Sequence, residues 1–385
     1  MAYDFDRVIE RRGTYSIKYN PAARGKPEDV LPMWVADMDF PAPPCVLEAL
    51  SERVRHGVFG YSEPDGAYFD AVRGWFSRRF GWAVEREWLV ITPGVVNAVS
   101  LAVRALTEPG DGVVIQQPVY YPFETAIRKN GRIPLVSELV YAGGRYGVDF
   151  DDFESRLRQA KLFILCSPHN PVGRVWTRDE LFRMGELCLR YGVTVIADEI
   201  HQDFIYAGSR HLVFETLDPR FADITVTCTA PSKTFNLAGL PHANIFIQNE
   251  TLRRKFAAEY ASCGLSQPGV MGLAACEAAY NGGEEWLEEL LEYLTGNMSL
   301  IRGFLAERCP EVKLVEPEGT YLAWLDCAAA GLSARELDGL ITNRAKLWLD
   351  GGTMFGPCGA GFQRLNAACP RPVLREALER LSSVF

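Results

Sequence analysis

Residues 161–203 read KLFILCSPHNPVGRVWTRDELFRMGELCLRYGVTVIADEIHQD, and their reading decides the fold. KLFILC and VTVIAD are short apolar runs rich in β-branched residues. Between them, RDELFRMGELCLRYG has the spacing of an amphipathic helix. A strand, a helix and a second strand form the unit of a parallel sheet whose two faces are both covered. The alternation extends outward from about residue 90 to 250. Further strands are expected at GVVIQ (112–116), ITVTCT (224–229) and ANIFIQ (243–248), and a helix at SLAVRAL (100–106). The fold class is therefore α/β.

The flanks read differently. Residues 1–45 are rich in proline and aromatics and hold no long helix, which predicts an irregular arm. Beyond the alternating block come a long helix near 284–307, strands at VKLVE, TYLAWLD and FQRLNA, and a closing helix from about 371. These predict a smaller α/β domain. The resulting division is an N-terminal arm, 1–45, contributing to the small domain, a large domain at 46–283 and a C-terminal small domain at 284–385.

Composition removes several functional classes. With 385 residues, 48% of them hydrophobic, the chain can bury a large core. A net charge of −9 and a pI near 5.3 leave no basic face for a nucleic-acid backbone. No run approaches membrane-spanning length, and the charged start MAYDFDRVIERRG does not resemble a signal peptide, so no membrane is involved and a cytoplasmic protein is expected. Ten cysteines are scattered without a CxxC pair, which suggests neither a disulfide framework nor a metal site.

In parallel α/β sheets, ligands bind beyond the carboxyl ends of the strands. Four segments put polar groups there: Asn170 after KLFILC, Asp198 at the end of VTVIAD, Ser232 and Lys233 after ITVTCT, and the turn at Gly94 that opens a helix. Singly, each has an ordinary reading as a cap, a turn residue or a solvated cation. Together they supply a helix N-terminus and a hydroxyl for a phosphate, a fixed carboxylate, an amide donor and an amine able to form a Schiff base. Pyridoxal 5'-phosphate needs all of these at once.

The ordered set PVYYPF, SPHNPVGR, ADEIHQD, SKTFNLAGL and FQRLN resembles the fold-type I pyridoxal-phosphate family of class I/II aminotransferases over nearly the whole chain. That resemblance implies a large domain with a mostly parallel seven-stranded sheet sandwiched by helices, beside a smaller α/β domain. It implies that Lys233 is the catalytic lysine that carries the cofactor, Asp198 the partner of its pyridine nitrogen and Asn170 a ligand of its phenolic oxygen. Tyr120 matches the ring-stacking aromatic, Val95 and Val96 fall in the phosphate-binding turn, and Ser232 adds a phosphate donor. His201 stands where many relatives carry a tyrosine facing the phenolic oxygen, a buried structural histidine being the other reading. Arg364 matches the arginine that grips the substrate α-carboxylate. Tyr61 resembles a tyrosine that reaches the neighbouring subunit's phosphate, which implies a homodimer with its active site at the interface.

One position departs from the general pattern. Many aminotransferases carry a phosphate-binding arginine eight residues after the lysine, where this chain has Pro241. The loss is usual in the cystathionine β-lyase branch of MalY/PatB-type C–S lyases, which WVADMDFP, ADEIHQD and SKTFNLAGL also resemble. His242, next in sequence, is open to two readings: a partial replacement for the lost charge, or a solvated loop histidine. The branch implies β-elimination from L-cystathionine or related cysteine S-conjugates, giving a thiol such as homocysteine, pyruvate and ammonia. Transamination of an amino-acid substrate is the alternative, because both reactions begin with removal of the Cα proton. A regulatory partner-binding protein on the same fold is a second alternative.

Overall fold

The computed structural model describes residues 3–265 and 267–385. Eight strands join in the order Leu89–Thr92, Ala243–Phe246, Thr225–Thr229, Thr194–Asp198, Ala160–Cys166, Gly112–Gln117, Ile133–Ala142 and Arg145–Val148. All but Ala243–Phe246 and Arg145–Val148 run the same way. Seven strands were expected. The eighth is Arg145–Val148, folded back on Ile133–Ala142 through Gly143 and Gly144, whose φ angles are 59° and 80°. A two-residue hairpin of this hand needs positive φ at both central positions, which glycine adopts without strain.

Side-chain alternation divides each central strand between two cores. Val113, Ile115, Leu162, Ile164 and Ile196 pack with Ala98, Val99 and Ala102 of the helix Val95–Leu106. Val114, Phe163, Leu165, Val195 and Ala197 face the other way, onto Leu181, Met184 and Cys188 of the helix Arg178–Tyr191. A sheet covered on both faces keeps its strands in register by this period of two. The second helix has clear boundaries. A capping box between Thr177 and Glu180 starts it, and Gly192, at φ 64°, ends it by donating its N–H to the Cys188 and Leu189 carbonyls.

Register then fixes where the chemistry collects. Cys166 pairs with Asp198, and Asp198 with Cys228, so the segments after these three strands leave the sheet at one edge. Thr92 pairs with Ala243, and Asn244 with Thr229, which brings the Gly94 turn and His242 to the same edge.

A second, four-stranded antiparallel sheet has the order Lys313–Val315, Leu322–Asp326, Phe362–Asn366, Asp350–Gly351. The helices Glu284–Arg308 and Arg371–Ser382 share its apolar core. The N-terminal arm is irregular, as its composition predicts. Its Leu31–Pro32 pairs in parallel with Leu347–Trp348. Asn366 Nδ2 donates to the Val35 and Asp37 carbonyls, at 2.7 and 2.5 Å. From the other side, Asn236 accepts from Met38 N at 2.9 Å and donates to the Phe40 carbonyl at 2.8 Å. The arm is thus pinned across the edge where the strands end. Among the described residues, no helix is long and apolar enough to cross a membrane.

Candidate active site

The strand ends enclose a cavity of about 400 Å³. Its wall includes Val95, Val96, Tyr120, Asn170, Asp198, His201, Ser232 and Lys233, eight residues singled out in the sequence from five separate segments. Two others lie outside it. Arg364 is one hydrogen bond behind the wall, and Tyr61 stands on the surface, 97% exposed.

Lys233 sits on the short helix Pro231–Thr234 that follows its strand. Its Nζ donates to the Ala36 carbonyl at 2.6 Å. Burial pushes the amine down to about 8, with the Arg364 charge acting in the same direction and Asp37 and Asp198 opposing it. Asp198 is displaced the other way, up to about 7, because burial disfavours its charge more than the Ile200 N–H and the Lys233 charge restore it. That N–H donates to Asp198 Oδ1 at 3.1 Å. Among the described residues no donor reaches Oδ2, so the carboxylate offers one free acceptor to the cavity. A cationic ring N–H is the partner that such a buried carboxylate lacks.

Asn170 is oriented from behind. Arg364 Nη1, which can only donate, meets Asn170 Oδ1 at 3.0 Å, and this leaves the Nδ2 group as the free donor. His201 is buried, its Nδ1 has no partner, and burial followed by the Lys233 and Arg364 charges holds its imidazole well below the usual range. It is a neutral wall residue. Burial likewise raises the Tyr120 phenol, whose ring meets Phe123 edge-on.

The helix Val95–Leu106, which begins after Gly94, also reaches the cavity. Its first N–H groups have no intrahelical acceptor, and Val95, Val96 and Ser232 all line the cavity, a donor set that suits a phosphate monoester. Both readings of His242 need correction. It is buried rather than solvated, and its Nε2 lies 2.6 Å from the Tyr68 hydroxyl, which donates onward to Asn244 Oδ1. Burial pushes it down to about 4, so it brings no positive charge at neutral pH in place of the missing arginine.

Several participants carried no sequence signal. Asp350 forms a buried ion pair with Arg364 Nη2, which also donates to the Trp34 carbonyl at 3.0 Å. The Tyr321 hydroxyl donates to the Ala36 carbonyl at 2.9 Å. Thr234, beside the lysine, donates from its hydroxyl to buried Asp203 Oδ2 at 2.7 Å. The run WVADMDF stands out in the sequence, but which backbone carbonyls it presents depends on how the arm folds.

The sequence model of the family described as aminotransferase class I and II matches residues 28–381. The chain is 48% identical to the cystathionine β-lyase PatB of Bacillus subtilis, over 99% of this chain and 100% of that protein. It is 36% identical to protein MalY of Escherichia coli, over 98% of each. Among solved structures, cystalysin from Treponema denticola, which contains a pyridoxal 5'-phosphate cofactor, superposes with a TM-score of 0.96 at 38% identity, covering 100% of this chain and 99% of that one. With its cavity at the carboxyl edge of the sheet and these likenesses along its whole length, the chain belongs to the class I and II aminotransferase family, in the branch of PatB and MalY.

Proposed function

We infer that the protein is a pyridoxal 5'-phosphate-dependent carbon–sulfur β-lyase. Its substrate is L-cystathionine or a related cysteine S-conjugate, and its products are a thiol, pyruvate and ammonia. The observation that carries this reading is the meeting of Lys233, Asp198, Asn170, Ser232 and the start of the helix Val95–Leu106 around one cavity at the carboxyl edge of the sheet. Each group is arranged to meet an incoming partner, and the name of the 48% identical relative supplies the reaction class.

When bound, the cofactor takes up the electron pair left at the substrate's α-carbon. Asp198 Oδ2 would hold the proton on its ring nitrogen, Asn170 Nδ2 would donate to its phenolic oxygen, and Tyr120 would cover its ring. The Val95 and Val96 N–H groups and Ser232 would receive its phosphate, and Lys233 would be the amine that anchors it. Lys233 Nζ would also be the base that removes the Cα proton, and an amine pushed down to about 8 has a useful unprotonated fraction at neutral pH. Departure of the thiolate from Cβ, with water consumed in the hydrolysis that follows, completes the stoichiometry. Arg364, proposed to bind the substrate α-carboxylate, is held by Asn170, Asp350 and the Trp34 carbonyl, and its buried Nε keeps an unpartnered donor.

The active unit is proposed to be a homodimer. Tyr61 is 97% exposed on a strand-free segment with Val58 and Phe59, and it lies beside Leu240 and Pro241, which also line the cavity. An exposed apolar segment at the rim of an active site suits a second copy of the chain. Ten free cysteines suit a reducing compartment, which supports the cytoplasm.

The test is a product assay with L-cystathionine and the loaded enzyme, without any keto acid. Matched release of pyruvate and free thiol is expected. Amino-group transfer seen only after a keto acid is supplied would replace the lyase reading with an aminotransferase.

A further inference from the structure

Arg364 and Asp350 face each other across neighbouring strands of the second sheet as a buried ion pair. The guanidinium has five N–H groups to give. Nη1 donates to Asn170 Oδ1 at 3.0 Å, while Nη2 donates both to the Trp34 carbonyl at 3.0 Å and to Asp350 Oδ2, which spends its two hydrogens. Nε has no partner. The Phe355 ring, with its centroid 4.8 Å from Cζ, packs against one face of the guanidinium and restricts its turning.

This count limits how a carboxylate can be gripped. Binding through two parallel N–H groups needs adjacent donors, either Nε with Nη2 or Nη1 with Nη2. Both pairs include Nη2, and Nη2 is full. An incoming carboxylate therefore takes a hydrogen from the Trp34 carbonyl or from Asp350. The arm holds the first in place, since Met33 N donates to the Trp348 carbonyl at 2.9 Å and the Val35 carbonyl accepts from Asn366 at 2.7 Å. A neutral carbonyl left behind stays an unpaired buried acceptor, whereas a carboxylate can take up a proton.

Charge points the same way. At rest the pair is neutral, and a substrate carboxylate beside it sets two negative charges against one positive in a buried place, which raises the proton affinity of one of the two. Burial already holds the Asp350 carboxyl above the usual range, against the charge and hydrogen bond of Arg364 and the charge of Lys26. The other groups around it are Arg24 and Asp338, on a shared cavity wall, and the phenols of Tyr120 and Tyr121, which burial raises and so keeps neutral.

We propose that Asp350 is a resident carboxylate that occupies Arg364 until substrate arrives, then gives up the Nη2 hydrogen bond and takes a proton from solvent. It is a positioning residue that acts through Arg364 and makes the binding of an α-carboxylate proton-linked. The proposal rests on the reading of Arg364 as the α-carboxylate site.

The test uses the loaded enzyme at pH 7 with L-alanine, which has no leaving group on Cβ, and with L-alaninamide, which has no carboxylate; both amines are largely protonated there. Calorimetry in buffers of different ionisation enthalpy counts the protons taken up. In the wild type, alanine takes up about 0.5–1 proton more than alaninamide. In Asp350→Asn, which keeps an oxygen for Nη2, that difference disappears. The ratio of the wild-type Kd for alanine to that of the variant, read from cofactor absorbance, also rises with pH by up to about tenfold per unit, because uptake of a proton weakens binding as pH climbs. Equal proton counts for the two ligands in the wild type, or a difference that survives in Asp350→Asn, overturn the proposal. Neither ligand can undergo β-elimination, so the outcome is separate from the lyase reading. An Arg364→Ala variant that still bound alanine as the wild type does would remove Arg364 as the carboxylate site, and the proposal with it.

Discussion

The Lys233 amine and the Tyr321 hydroxyl donate to the same acceptor, the Ala36 carbonyl, at 2.6 and 2.9 Å. The arm is therefore fastened to the reactive amine. Once the cofactor engages Lys233, the carbonyl keeps only Tyr321. Tyr321→Phe should cost the cofactor-free protein little, because Lys233 still satisfies Ala36. The loaded protein, left with a buried acceptor unpaired, should lose about 1–2 kcal/mol. The comparison is between urea midpoints of the two forms. Equal losses would show that Lys233 does not exchange this bond.

Removing the amine tests the centre directly. Lys233→Ala should abolish the imine absorbance band of the loaded protein and lower the rate of pyruvate release by about a thousandfold or more, the range associated with a positioned proton-transfer group and covalent attachment together. A variant that kept the band would place the cofactor on another amine.

Thr234 follows the lysine and ties it to the loop that begins at Asp198. Its hydroxyl donates to Asp203, whose other partner, Arg79, stands at 3.5 Å. Asp203 is buried, and burial raises its carboxyl above the usual range. Thr234→Val keeps the shape and deletes the donor, so a loss of about 1–3 kcal/mol is expected in urea denaturation. Thr234→Ser should recover most of it.

How far the sequence could be read depended on the kind of order involved. Strand alternation and the residues just after each strand are local signals, and they locate the sheet, its carboxyl edge and Asn170, Asp198, Ser232 and Lys233 of the cavity wall, while Val95, Val96, Tyr120 and His201 are legible only through the family resemblance of the ordered motifs. The strand after the Gly143–Gly144 turn is hard to read from sequence because it is short and half exposed, with no buried run to mark it. Asp350 and the Ala36 carbonyl were invisible for a different reason. Asp350 gains its role only when the strand carrying Arg364 pairs beside it and Arg364 meets Asn170, 194 residues away; Ala36 is met by Tyr321 across 285 residues, and a backbone acceptor has no residue identity to recognise. His242 shows a third limit: loop histidines look alike in sequence, and only packing against Tyr68 and Gly272 decides that this one is buried and neutral.

Tyr61 provides the test of the proposed dimer. Because its side chain is almost fully exposed, Tyr61→Phe should leave the fold and stability of a single subunit unchanged. If its hydroxyl reaches the partner's cofactor phosphate, pyridoxal 5'-phosphate should bind about tenfold more weakly, as expected for one charge-assisted hydrogen bond. Sedimentation then separates the roles: the variant remains a dimer and loses affinity. A monomeric wild type would remove the basis for any effect.

Asp198 should show the conflict between stability and function as a dependence on pH. In the cofactor-free protein burial raises its folded pKa from 3.8 to about 7. A raised folded pKa means that the stabilising contribution is complete below 3.8, where both states hold the proton, and is lost as pH climbs through about 7 and the buried group must ionise. Asp198→Asn removes that titration while keeping an oxygen to accept from the Ile200 N–H. At pH 8 the cofactor-free variant should therefore be more stable than the wild type by roughly 2–4 kcal/mol, and the advantage should shrink towards zero near pH 4. Urea denaturation at the two pH values measures it. With cofactor bound the order should reverse, since a neutral amide cannot sustain a protonated ring nitrogen. A variant advantage that did not change with pH would mean that the carboxylate is already compensated in the empty site.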